Sequence, residues 1–197
     1  MTLTSIISCL AVALTIVQFA PQALRAWRIS VEGVSLASWA LFTITTASWL
    51  SYGISTHHSA LTVVNLIVGP LAWLLLLRLA RRSAADLRYA LAAVVAALVA
   101  SLLMWGWPTA SVAVLAAVEV LAVLPQTLVV FRSRELEGVS SLTWLAVFVA
   151  QGLWGIYGAL SDQLAVSLGG FAGAALALLT AARLLWLRRQ HVHPAAD

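Results

Sequence analysis

The sequence has no lysine, a single cysteine and little charge of either sign. Only 9% of its 197 residues are charged, where a soluble domain carries about 25%. That shortage excludes a water-soluble globular fold, whose surface needs charge. The lone Cys9 lies inside an apolar stretch, so no intrachain disulfide can form and the redox compartment stays open. Met1 to Ser5 holds no basic side chain before the first apolar run, unlike a secretory signal, so that run is expected to be a retained membrane span. Neither a glycine-rich phosphate loop nor a nucleophile with a nearby base can be found, so no enzyme activity and no cofactor are expected. His57-His58 and His191-x-His193 come without acidic or thiol neighbours, and no metal site is expected there.

What the sequence does have is apolar length: 62% of the residues are hydrophobic and the mean hydropathy is +1.00. Breaks at charges, Gly/Pro and short polar clusters divide it into seven runs, 3–26, 34–55, 60–79, 88–107, 109–131, 139–160 and 163–187. Most hold the roughly 20 residues needed to span a hydrocarbon core of about 30 Å. The reading is an all-α integral membrane protein of seven transmembrane helices, with six spans as the fallback because the break at Gly106-Trp107-Pro108 is weak. Pro108 suits the first position of a fifth helix, where no backbone N–H is needed.

All eleven basic residues are arginines, at 25, 28, 78, 81, 82, 88, 132, 134, 183, 188 and 189. With seven spans they all fall on one membrane face, and the opposite face keeps only His57, His58 and Asp162 as ionisable groups. By the positive-inside rule the arginine face is cytoplasmic, with the N-terminus outside and the C-terminus inside. Six spans would scatter the later arginines over both faces. The net charge of +4 fits no nucleic-acid binder, because the arginines lie between apolar runs and not on a solvated patch.

The first three runs recur in the last three. Pro21-Gln22 returns as Pro125-Gln126, 104 residues on. Gly33-Val34-Ser35 with Trp39 returns as Gly138-Val139-Ser140 with Trp144, and Trp49-x-x-Tyr52-Gly53 as Trp154-x-x-Tyr157-Gly158, both 105 residues on. The expected layout is a first three-helix repeat over 1–82, a linker helix 4 over 83–107, a second repeat over 108–188 and a cytoplasmic tail over 189–197. A single linker span makes the repeats parallel, an arrangement found in transporters with the substrate site at the repeat interface.

Two Pro-Gln pairs, each followed by Gly-Val-Ser and then Trp-x-x-Tyr-Gly, resemble the PQ-loop superfamily, and the 3+1+3 layout resembles its SWEET sugar transporters and their half-length SemiSWEET relatives. The resemblance covers about residues 3–185. It implies facilitated passage of small neutral sugars by alternating access, with an Asn and a Trp from each repeat forming the pocket. By motif position these are Trp49, Asn65 and Trp154; Gly170 stands where the second Asn is expected. Ser38 and Thr143 also stand where SWEETs often carry proline. The resemblance implies a uniporter in the plasma membrane of a prokaryote, with a sugar and the surrounding lipids as partners; a homo-oligomer stays open.

By helical rise, Trp49, Asn65, Trp154 and Gly170 all lie roughly 8–10 Å from the outer helix ends, in one layer. Indole faces suit the CH faces of a sugar, and an Asn amide suits its hydroxyls. Gly170 is expected to widen one side of that layer. An interfacial aromatic belt and a simple interhelical hydrogen bond are the plainer roles for these side chains. Thr4, Ser8, Thr15, Gln18 and Gln22 share one face of helix 1, and Glu119 and Gln126 repeat part of that stripe on helix 5. Thr46 with Trp49, and Gln151 with Trp154, share faces at i, i+3, giving either a polar lining or mere helix-joining polar contacts. Glu119, near the midplane, is a proton-coupling candidate, a structural donor or a substrate contact. Pro21 and Pro125 interrupt the hydrogen bonding of their helices, and with Gln22 and Gln126 they are hinge or inner-gate candidates, static kinks being the alternative. Gly152, Gly155, Gly158, Gly169 and Gly173 offer close helix packing. A proton-coupled exporter of an amino acid or other polar metabolite using Glu119, and a non-transporting membrane receptor, are the other function classes.

The one-sided arginines set a direct test. In a Cys9→Ser background, single cysteines replacing His58, Trp107 or Asp162 should react with an impermeant thiol reagent added outside, and those replacing Arg82 or Arg134 should not. The opposite labelling pattern reverses the orientation.

Overall fold

In the computed structural model the described residues are 2–28, 36–132 and 141–192. Among them the chain forms seven helices: α1 (Leu3–Arg28), α2 (Leu36–Ser55), α3 (Ser59–Ala80), α4 (Ala84–Gly106), α5 (Pro108–Arg132), α6 (Ser141–Leu160) and α7 (Leu164–Val192). Both Gly-Val-Ser motifs, and the tail from His193, lie outside the described residues. Each apolar run coincides with one helix. Ser59–Ala80, Ala84–Gly106, Ser141–Leu160 and Leu164–Leu187 are long and apolar enough to cross a membrane. The chain is an all-helical integral membrane protein.

Local chemistry sets the helix ends. Ser83 caps α4, its hydroxyl accepting from the Asp86 backbone N–H at 3.1 Å, and the Asp86 carboxylate complements the positive end of the helix dipole. Pro108 opens α5. Large apolar side chains point outward, Leu142 being 74% and Leu102 71% exposed, as lipid-facing positions allow. Hydroxyls instead lie inside: Thr43, Thr45 and Ser48 on α2 are buried. Each donates to the carbonyl four residues back, Trp39, Leu41 and Ile44, at 2.8, 2.6 and 2.8 Å. Such back-bonding satisfies a hydroxyl without water.

The chain divides into two compact units, an N-terminal one of residues 12–118 and a C-terminal one of residues 1–11 with 119–197. In the N-terminal unit, α2 packs against both α3 and α4, which touch each other far less. Trp39, Ala72, Leu75 and Leu79 form one core, joined by Phe19 of α1, whose ring stacks on Phe42 at 4.2 Å. Ala40, Leu76, Ala80, Ala90 and Ala93 form a second, where α2, α3 and α4 converge. In the C-terminal unit, α6 and α7 pack closely. The Thr127 and Thr180 hydroxyls meet at 3.0 Å between α5 and α7, and the Arg183 guanidinium lies 4.3 Å from the Trp186 ring centroid and 6.0 Å from that of Phe131.

The repeated Trp-x-x-Tyr-Gly motif folds the same way in each unit. His57 and Asp162 both take the left-handed conformation, at φ 59° and 54°. The next N–H reaches back across the helix end, from His58 to the Gly53 carbonyl and from Gln163 to that of Gly158, both at 2.8 Å. This is a Schellman closure. Thr56 and Ser161 each donate a hydroxyl, at 2.6 Å, to the carbonyls of Tyr52 and Tyr157. Glycine is required at both motif ends, because the next helix starts against it: a Cβ on Gly53 would meet Thr62 N at 2.9 Å, and one on Gly158 would meet Ser167 Cα at 2.8 Å. Burial holds the His58 imidazole below its ordinary pKa, favouring the neutral ring at this turn.

Gly158→Ala should therefore lower the thermal stability of the detergent-solubilised protein by about 1–3 kcal/mol, the usual range for overpacking. Gly152→Ala, whose Cβ meets nothing within 4 Å, should leave it unchanged. Equal melting of both variants by circular dichroism contradicts the close turn.

Candidate functional site

In the N-terminal unit the structure brings two of the expected site residues together. Thr46 of α2 and Asn65 of α3 line a partly open cleft of about 380 Å³, with Ala47, Leu50, Ser51, Leu66, Gly69, Pro70, Trp73 and Ser101. Asn65 is 7% exposed and donates its amide N–H to the Leu61 carbonyl at 2.8 Å. The Thr46 hydroxyl donates to the Thr43 carbonyl at 3.1 Å. Trp49 is not part of the cleft wall. Its ring meets Tyr52 edge to face, with centroids 5.7 Å apart.

Trp154 repeats that contact with Tyr157 at 5.6 Å in the C-terminal unit. At 8% and 9% exposure, Trp49 and Trp154 are protein-interior rings, not members of an interfacial belt. Trp105, Trp107 and Trp186 are the exposed tryptophans among the described residues, and they sit near helix ends as belt residues do.

Gln151 of α6 donates its amide to the Glu119 carboxyl of α5 at 3.3 Å. Gly173 makes room for it, since a Cβ there would come 3.2 Å from the Gln151 amide carbon. Glu119 thus has a neutral amide partner. The side-chain carbonyl oxygens of Gln151 and of Gln18 are buried without a hydrogen-bond partner. Thr15, Gln18, Thr4 and Ser8 all belong to α1; the Ser8 hydroxyl donates to the Ser5 carbonyl at 3.0 Å. α1 and α5 run as helices through Pro21 and Pro125. The side chains of Pro21, Gln22, Pro125 and Gln126 lie outside the described residues, as does that of Ser38.

Gly170 does not open a space. A Cβ on it would meet Gly155 Cα at 2.7 Å and the Gln151 carbonyl at 2.8 Å, with the Gly155 nitrogen closer still. The α6 backbone fills the place that an Asn side chain would need. The repeat offset pairs Gly155 with Leu50 and Gly170 with Asn65. At the same crossing, then, one unit has backbone against backbone and the other has two large side chains beside a cleft.

Sequence reading missed Ser51, Gly69, Pro70, Trp73 and Ser101 as cleft residues. Pro70 inside a membrane helix and Ser101 as the polar residue of an apolar stretch of α4 were the available signals, but neither belongs to the repeat, which drew attention elsewhere.

No family model and no curated protein matches the sequence. A search of solved structures does find a likeness: a eukaryotic SWEET transporter solved at 3.7 Å resolution superposes with a TM-score of 0.77, at 16% identity, over 95% of this chain and 100% of that one. The fold is that of a SWEET transporter. The SWEET-like fold thus extends along nearly the whole chain although the two sequences share few identical residues.

Gly170→Asn, which installs the residue expected from the family pattern, should destabilise the protein by about 1–3 kcal/mol through overpacking against α6. A melting temperature equal to or above that of the unsubstituted protein contradicts the backbone contact.

Proposed function

We propose that this protein is a membrane transporter moving small neutral sugars by facilitated diffusion through alternating access. The observation that carries the reading is the SWEET-like fold along 95% of the chain and all of the solved transporter. The layout is read as two parallel three-helix repeats joined by α4, with the N-terminus outside and the arginine-bearing ends cytoplasmic. Trp49, Asn65 and Trp154, supported by Thr46, Gln151, Thr15 and Gln18, are the proposed substrate-facing side chains. Their chemistry supports this: indole rings offer apolar faces, and amides and hydroxyls offer both donors and acceptors to a polyhydroxylated ring. Pro21-Gln22 and Pro125-Gln126 are the proposed hinges.

Proton-coupled export through Glu119 is the less favoured reading. A coupling carboxyl must load and release a proton in each cycle. The hydrogen bond to Gln151 supplies no charged partner to drive the release.

Counterflow of labelled hexoses and disaccharides into proteoliposomes tests the proposal. Trp49→Ala, Asn65→Ala and Trp154→Ala should each cut flux roughly 10- to 100-fold, as expected for losing an interaction of about 1–3 kcal/mol. Glu119→Gln should transport nearly normally, insensitive to an imposed pH gradient. Three alanine variants with full flux contradict the substrate-facing assignment. Lumenal acidification during uptake, lost in Glu119→Gln, contradicts facilitation.

A further inference from the structure

The last helix carries an arginine inside its apolar span. Arg183 lies four residues short of Leu187, where the span Leu164–Leu187 ends, a depth of roughly 6 Å by helical rise. It is also nine residues from the Val192 end of α7. A helix dipole acts on charge only within the last turn, so the dipole does not account for a cation at this position.

The surroundings of Arg183 do not answer its charge. The guanidinium lies 4.3 Å from the Trp186 ring centroid and 6.0 Å from that of Phe131, within reach of cation–π attraction. Its Nε is buried without a hydrogen-bond partner, and among the described residues no carboxylate pairs with it. A charged donor without an acceptor is costly wherever water is scarce. The frame around it is nevertheless built. Deeper along both helices the Thr127 and Thr180 hydroxyls join α5 to α7 at 3.0 Å, one turn before Phe131 and Arg183.

Phe131 and Trp186 are 47% and 49% exposed, so each ring keeps about half of its surface turned outward to lipid. Arg132 closes α5, Arg189 lies one turn beyond Trp186 on α7, and both are exposed. The partner that Arg183 lacks is therefore an anion that arrives from the membrane. A guanidinium fork takes phosphate oxygens two at a time, and tryptophan sits at the level where headgroup meets acyl chain. A zwitterionic headgroup would bring its own cationic amine up to Arg132 and Arg189, whereas an anionic headgroup meets only attraction. We propose that the face shared by α5 and α7 binds one anionic phospholipid from the leaflet at the arginine-bearing helix ends, its phosphate held by Arg183 and its acyl chains laid along Phe131 and Trp186. The site uses none of the proposed sugar-facing side chains and goes beyond the transport reading.

Native mass spectrometry of the detergent-solubilised full chain tests the site, with phosphatidylglycerol and phosphatidylcholine of matched acyl chains as probes and inorganic phosphate as competitor. Phosphatidylglycerol should be retained severalfold more than phosphatidylcholine, and excess inorganic phosphate should not displace it. Arg183→Gln should remove most of that preference, whereas Arg88→Gln, which neutralises an exposed arginine of α4, should keep it. Arg183→Lys, which keeps the charge without the fork, and Trp186→Leu, which keeps the charge without the ring, should each lower the preference severalfold. Those two variants decide the outcome where Arg183→Gln does not fold. An unchanged preference in the Arg183 and Trp186 variants overturns the site and leaves Arg183 as a side chain that reaches for bulk water. Equal losses in Arg88→Gln and Arg183→Gln overturn it in favour of unspecific charge. Displacement by inorganic phosphate overturns the lipid in favour of a free anion.

Discussion

How closely the second and third helices of a unit can approach decides which side chains can stand between them. In the C-terminal unit Gly155 and Gly170 bring α6 and α7 to backbone contact, where even one added Cβ would collide. Close approach of this kind is how membrane helices associate when lipid tails are as apolar as the side chains and no hydrophobic force drives them together. In the N-terminal unit the corresponding positions carry Leu50 and Asn65, which line the cleft. Both units nevertheless share the turn that precedes the third helix, down to the left-handed residue, the reach-back hydrogen bond and the hydroxyl cap. A common turn with different crossings lets a repeat be asymmetric without losing its fold.

The interior chemistry follows from the solvent. Lipid offers no hydrogen bonds, so buried hydroxyls on α2 and α7 close onto their own helical carbonyls, and the Thr127–Thr180 pair joins two helices. Polar side chains that are not consumed this way then stand out. Gln18 and Gln151 keep buried carbonyl oxygens without partners. Gln151 spends its amide donor on Glu119, which ties that side chain of α5 to α6.

Much of the fold was legible in the sequence because apolar runs and helices are the same objects in a membrane. The departures have local causes. Helix α4 begins at Ala84, ahead of the expected 88, because the Ser83 cap and Asp86 stabilise a polar first turn that hydropathy does not register. Helix α7 continues to Val192, past the expected 187, because arginines lengthen a helix beyond the hydrocarbon without opposing its dipole. Of the candidate site, Asn65 was found through the family resemblance and Thr46 through the helix face it shares with Trp49, and the two do share a cleft. Ser101, Pro70 and Trp73 were not, because a cleft arises from the spacing of three helices and no pairwise motif encodes it. Gly170 was read as extra room because deletion of a side chain suggests space, whereas helix packing had already taken that space.

The central proposal is that this SWEET-like chain meets a sugar through Trp49, Asn65 and Trp154. Hydrogen–deuterium exchange of the reconstituted protein with and without D-glucose measures it most directly. Sugar should slow exchange in peptides covering Thr46–Asn65 and in those covering Gln151–Trp154. Exchange that D-glucose leaves unchanged in both sets of peptides contradicts the account.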